Sequence, residues 1–99
     1  MRYYESMIRS FRCKETERIY RREFSRKLPY DIQRLAMRKL WLIEAAMDLN
    51  ELRIPPANHL EALRGARKGQ YSIRINQQWR ICFCWQTGDA YNVEIVDYH

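Results

Sequence analysis

Residues 93–99 read VEIVDYH, so Asp97, Tyr98 and His99 follow one another at the end of a strand-like run. Upstream, Arg64, Arg67, Lys68, Arg74 and Arg80 occur with no acidic residue between Arg64 and Arg80. Arginine is a fixed cation whose planar fork of donors matches phosphate oxygens. Histidine exchanges a proton near neutrality and serves as acid or base. Together these residues supply what scission of an RNA strand demands. A base must take the 2′-OH proton, cations must stabilise charge on the phosphorane, and an acid must protonate the leaving 5′-oxygen. Bland alternatives stand beside this reading. Arginines on an open sheet face are commonly solvated, Tyr98 could be sheet packing, and Asp97 could merely pair with an arginine.

Such residues need elements to bring them together. QYSIRIN alternates Tyr71, Ile73 and Ile75 against Ser72, Arg74 and Asn76, as a strand with one buried face does. WRICFCW alternates Trp79, Ile81, Phe83 and Trp85 against Arg80, Cys82 and Cys84, and AYNVEIVDY alternates Tyr91, Val93 and Ile95 against Asn92, Glu94 and Val96. NQQ and TGD are connections of hairpin length. The polar faces would place Arg74 and Asn76 side by side, with Arg80 across a tight hairpin and Arg64, Arg67 and Lys68 on the loop leading in. Earlier in the chain, MIRSF (7–11) reads as a short strand and KETERIYRREF (14–24) as a basic amphipathic helix. Pro29 interrupts helical structure, and Asp31 is a suitable N-cap for a long helix over 31–50. That helix carries Ile32, Ala36, Leu40, Ile43 and Met47 at spacings of three and four. Residues 54–69, with Pro55-Pro56, Gly65 and Gly69, read as a loop. The expected architecture is α+β: a short N-terminal strand, two helices, then a three-stranded antiparallel meander, with the helices packed on one sheet face.

Ninety-nine residues suit one domain able to bury a modest core. A second methionine, Met7, precedes the first strand-like run, so residues 1–6 read as an extension and 7–99 as the domain. No apolar run is long enough to span a membrane, and no signal-peptide h-region is present. Cys82 and Cys84 share a strand face in an apolar stretch, which suits buried thiols; with Cys13 they make an odd count without zinc-type spacing. That pattern points to a reducing, cytoplasmic setting and gives no metal site and no cofactor. The net charge of +6 comes from a basic complement of fourteen arginines and four lysines, which favours a phosphate-bearing partner.

MIRSF, HLEALRG, YSIRINQQWRICF and GDAYNVEIVDYH resemble the HigB toxins of bacterial toxin–antitoxin pairs, within the RelE/ParE superfamily. The resemblance runs from Met7 to His99. It implies the RelE-like α+β fold and a ribosome-dependent messenger RNA endonuclease (an mRNA interferase) that arrests translation. It also implies a cognate helix-turn-helix antitoxin (HigA-like), with operator DNA bound only through the toxin–antitoxin complex. Carried over by position, it makes His99 the acid–base group, with Asp97 and Tyr98 in the same active-site segment and Arg80 on the neighbouring strand. Arg64 falls where relatives commonly have a basic residue before a glycine. Some relatives have an arginine where this chain has Asn76, and Arg74, two residues earlier on the same face, can supply that charge. Arg67, Lys68 and Asn76 complete the expected RNA-binding set. Two other readings remain: a ParE-type toxin that poisons DNA gyrase, which needs no terminal histidine, and a non-catalytic RNA-binding module.

Overall fold

The computed structural model describes residues 7–98; the extension expected over 1–6 and the acid–base residue expected at His99 lie outside them. Helix α1 spans Lys14–Tyr20, with Glu15 and Glu17 in its first turn, where carboxylates complement the helix dipole. It stops well before Phe24 because Arg22 takes a left-handed conformation at φ 68°. Helix α2 spans Tyr30–Ala45 and buries Ile32, Ala36, Leu40 and Ile43, the stripe its spacing predicts. Pro29, not Asp31, is its N-cap; Asp31 sits inside the first turn, where its charge still faces the dipole. The helix is also shorter than expected, and Met47 is left exposed. The reason is local: Asp48 accepts the Asn50 N–H at 2.8 Å and caps a 3-10 helix over Leu49–Arg53, which competes with continuation of α2.

Four antiparallel strands form one sheet in the order β1-β2-β3-β4: β1 (Glu61–Ala62), β2 (Gln70–Arg74), β3 (Trp79–Gln86) and β4 (Asp89–Asp97). The meander is as expected, but a fourth strand lies in the stretch read as loop. A two-residue strand bounded by 3-10 turns has no periodicity by which to announce itself. Residues 7–11 make two isolated bridges parallel to β4, Ile8 with Ala90 and Phe11 with Val93, rather than a continuous strand. A bulge also changes the β4 alternation. Cys82 pairs with Glu94 but Cys84 with Tyr91, so Asn92 and Val93 oppose Phe83 alone. Asn92 adopts φ 54°, and its N–H donates to Ser10 Oγ at 2.8 Å. Ala90, not Tyr91, therefore joins Val93 and Ile95 in the core.

The helices cover one face of this sheet. Ile19, Ile32, Ala36, Leu40 and Ile43 form a single buried cluster with Ile73, Ile81, Phe83, Val93 and Ile95. Tight packing there holds the sheet backbone in place, and with it the positions from which side chains of the other face project.

Candidate active site

Register assembles the second face. Ser72 stands opposite Cys82 and Arg74 opposite Arg80, while Arg80 is also opposite Val96 and Cys82 opposite Glu94. Period-two alternation then puts Tyr98 on the Arg80 side of β4, and the Arg80 guanidinium lies 5.7 Å from the Tyr98 ring centroid.

Arg80 is the buried cation of this face, only 8% exposed. Its Nε–H donates to Ser72 Oγ at 2.7 Å and Nη2 donates to the His59 carbonyl at 2.6 Å. The Glu61 carboxylate, itself half-exposed, lies 3.6 Å from Nη2. A buried cation is tolerable only when its donors are satisfied. Here neutral oxygens do most of that work, so the positive charge is incompletely cancelled. No fully buried side-chain donor among the described residues lacks a partner, so Nη1, which has none among them, is the accessible edge of the guanidinium and can meet an anion.

The other cations differ in availability. Arg74 is half-buried and donates through Nε to the Asn76 carbonyl at 3.2 Å. Arg67 is tied to Glu94 at 3.2 Å and to Gln70 Oε1 at 3.0 Å, and the bond to Glu94 raises its pKa above the ordinary arginine value. Arg12 approaches the same carboxylate at 3.7 Å. Arg12, Arg67, Gln70 and Glu94 thus line a cleft beside the Arg80 group. Arg64 and Lys68 are exposed at the two ends of a 3-10 turn over Gly65–Arg67 and have no side-chain partner among the described residues.

Two expected site residues stand elsewhere. Asn76 turns its Oδ1 inward to accept the N–H groups of Gln78 and Trp79, both at 2.8 Å, and so closes the β2–β3 hairpin. Asp97 pairs with Trp79 on the face opposite Arg80 and accepts from Gln78 Nε2 at 3.2 Å. The Gln78 carbonyl in turn accepts the Tyr98 N–H at 2.6 Å. The hairpin that Asn76 caps therefore anchors the segment leading to His99.

Ser72, His59 and Glu61 were not anticipated. Ser72 was legible in principle, since alternation places it on the Arg74 face. His59 and Glu61 arrive through β1, whose pairing with β2 left no mark in the sequence. Beneath these groups Cys82 is fully buried and free, and burial pushes its thiol pKa up. Among the described residues, no three His, Cys, Asp or Glu side chains group as metal ligands would.

Comparison with known proteins adds a second line of evidence. Residues 9–99 match the sequence profile of a family described as RelE-like toxin of type II toxin–antitoxin system HigB. The chain is 40% identical over 87 residues to Toxin HigB-1 of Vibrio cholerae, covering 87% of this chain and 92% of that one. It is 34% identical over 94 residues to Endoribonuclease HigB of Proteus vulgaris, covering 94% of this chain and the whole of the relative.

Proposed function

Because the chain belongs to the HigB-like family of RelE-like toxins of type II toxin–antitoxin systems, we propose that it is a ribosome-dependent endoribonuclease that cuts messenger RNA and arrests translation. An antitoxin is its partner by membership of that family. The finer assignments belong to the proposal: a helix-turn-helix antitoxin through which operator DNA is reached, the translating ribosome as the platform, the cytoplasm as the site of action, and residues 7–99 as one working domain. No described helix is long and apolar enough to cross a membrane.

The observation that carries this reading is the Arg80 arrangement: a buried, incompletely cancelled cation with a free donor edge beside an exposed tyrosine ring. In the reaction, a base takes the proton of the 2′-OH and O2′ attacks the adjacent phosphorus. The P–O5′ bond breaks and the 5′-oxygen receives a proton, leaving a 2′,3′-cyclic phosphate. Arg80 and Arg74 stabilise the phosphorane charge. Arg64 and Lys68 hold flanking phosphates, with Arg67 joining them to the extent that Glu94 releases it. Tyr98 stacks on a base or orients the 2′-OH. Asp97 acts as a positioning residue through Gln78, and Asn76 through the hairpin. His99 is assigned as an acid–base group. The main-chain carbonyl of His59 helps to hold Arg80 in place.

Primer extension on cellular messages, before and after expression without antitoxin, tests this. Cuts inside translated frames are expected. DNA damage without such cuts would point to gyrase, and neither outcome would leave only RNA binding; both contradict the proposal.

A further inference from the structure

The loop between α1 and α2 is held unusually firmly for a surface connection. Ser25 is fully buried; its N–H donates to Gln33 Oε1 at 3.0 Å and its carbonyl accepts from Gln33 Nε2 at 2.7 Å. The Ser25 hydroxyl donates to Glu15 at 2.5 Å, and Gln33 also donates to the Leu28 carbonyl at 2.9 Å. Yet Phe24 in this loop is 56% exposed and Tyr30, the first residue of α2, is 78% exposed, their ring centroids 5.6 Å apart. The bonds hold the backbone next to Phe24, while both rings stay in water.

The charges around the rings are unbalanced. Arg18 is matched by Glu15 and Glu23, each at 3.5 Å, and Arg22 lies over the Trp41 ring at 4.6 Å. Arg26, Lys27 and Arg34 have no side-chain partner among the described residues. Two open clefts flank Phe24, one of about 270 Å³ reaching Arg26 and Lys27, the other of about 170 Å³ reaching Arg22 and Arg34. Exposed rings between unmatched cations are what an unpaired nucleic-acid strand needs: bases stack on the rings while phosphates meet the cations. A protein partner would instead favour a broader aliphatic patch, and the exposed aliphatic side chains of α2, Leu35 at 39% and Leu42 at 38%, are each less exposed than either ring.

We propose that this corner is a second RNA-binding site, a stacking platform for unpaired bases in single-stranded or looped RNA. It sits on the helix layer, whereas Arg80 and Tyr98 are on the opposite face of the sheet, so both sites can be occupied at once. Two-point attachment raises the effective concentration of RNA at the cutting site without any new contact there. The choice of RNA as the polyanion rests on the function proposed above; the binding itself does not require cleavage.

The test uses the whole chain and a short fluorescein-labelled, 2′-O-methylated single-stranded RNA, which cannot be cut. Anisotropy titrations should show Phe24→Leu and Tyr30→Leu each weakening binding about 5–10-fold. Lys27→Glu and Arg34→Glu should each flatten the dependence of affinity on salt. Melting temperatures should stay unchanged, because the rings are exposed. Unchanged affinity in the Phe24→Leu/Tyr30→Leu double variant would overturn the proposal, whatever the cleavage assays show. So would intact RNA binding with lost capture of the cognate antitoxin, which would assign the patch to the protein partner.

Discussion

Replacing Arg80 with methionine separates its charge from its packing. Methionine keeps an unbranched stem beneath the sheet face but removes the cation and its donors. The buried Ser72 hydroxyl then loses its 2.7 Å partner, at a cost of about 1–3 kcal/mol for an orphaned polar group. Part of that is offset, because a cation no longer has to be buried. The fold should survive, with its melting temperature moving by roughly 4–8 °C for each kcal/mol of net change. Catalysis should fare much worse. Loss of one preorganised donor aimed at developing charge typically lowers kcat by about 10²–10³, or about 2.7–4 kcal/mol. The assay is single-turnover cleavage of message on saturating ribosomes, beside thermal unfolding of the same preparation. Arg80→Lys serves as the companion variant. It restores charge, but an ammonium lacks the fork that reaches Ser72 and His59 while still facing the substrate, so an intermediate rate is expected. A folded Arg80→Met protein cutting within a few-fold of the native rate would refute the placement of Arg80 at the phosphate.

Further outcomes follow from the same geometry. His99→Ala should abolish toxicity while leaving antitoxin binding intact, read by growth arrest beside co-purification. Asn76→Ala should lower the melting temperature and the cleavage rate but leave RNA affinity unchanged, because Asn76 closes a hairpin; a pure loss of affinity would make it a phosphate ligand after all. Glu94→Gln should free Arg67 and steepen the plot of log affinity against log salt by up to about one unit; an unaltered slope would mean Arg67 remains unavailable. Lys39 is buried against Asn58 Oδ1, and desolvation lowers its pKa. The unfolded chain therefore binds the extra proton, and wild-type stability should rise as pH climbs from below the folded-state pKa toward the ordinary lysine value of about 10.4. Cys82, with its pKa raised by burial, works in the opposite sense above about 8.5. Denaturant titrations of wild type and Lys39→Met across that range isolate the lysine, and a pH-independent difference between them would contradict its assignment.

What was legible in the sequence was whatever burial writes as a period. Ile32, Ala36, Leu40 and Ile43 declared α2, and Ile73, Ile81 and Ile95 declared the core face of the sheet. The opposite face follows from the same alternation in β2 and β3, where Arg74 stands opposite Arg80. Features set by single side-chain-to-backbone bonds were not visible. Asp48 ended α2 early, Asn92 and Ser10 reversed the alternation of Tyr91, and Asn76 turned into the hairpin. Ion pairing was equally hidden. Arg67 and Arg80 are both arginines of one basic stretch, but Glu94 hydrogen-bonds the first, while the second is held mainly by the neutral oxygens of Ser72 and His59, with Glu61 at 3.6 Å.

Among the described residues the proposed site has one buried cation, Arg80, and few acid–base groups, so much of the catalysis is assigned to the positioning of message by the ribosome. Holding reactants in register can contribute about 7–11 kcal/mol of barrier reduction. The direct measurement is the single-turnover cleavage rate of one defined message, bound in the decoding site of purified ribosomes and free in solution, at equal and saturating protein. Rapid cutting of the bound message is expected, with a rate lower by several orders of magnitude for the free one. Comparable rates in the two states would overturn the assignment of catalysis to ribosomal positioning.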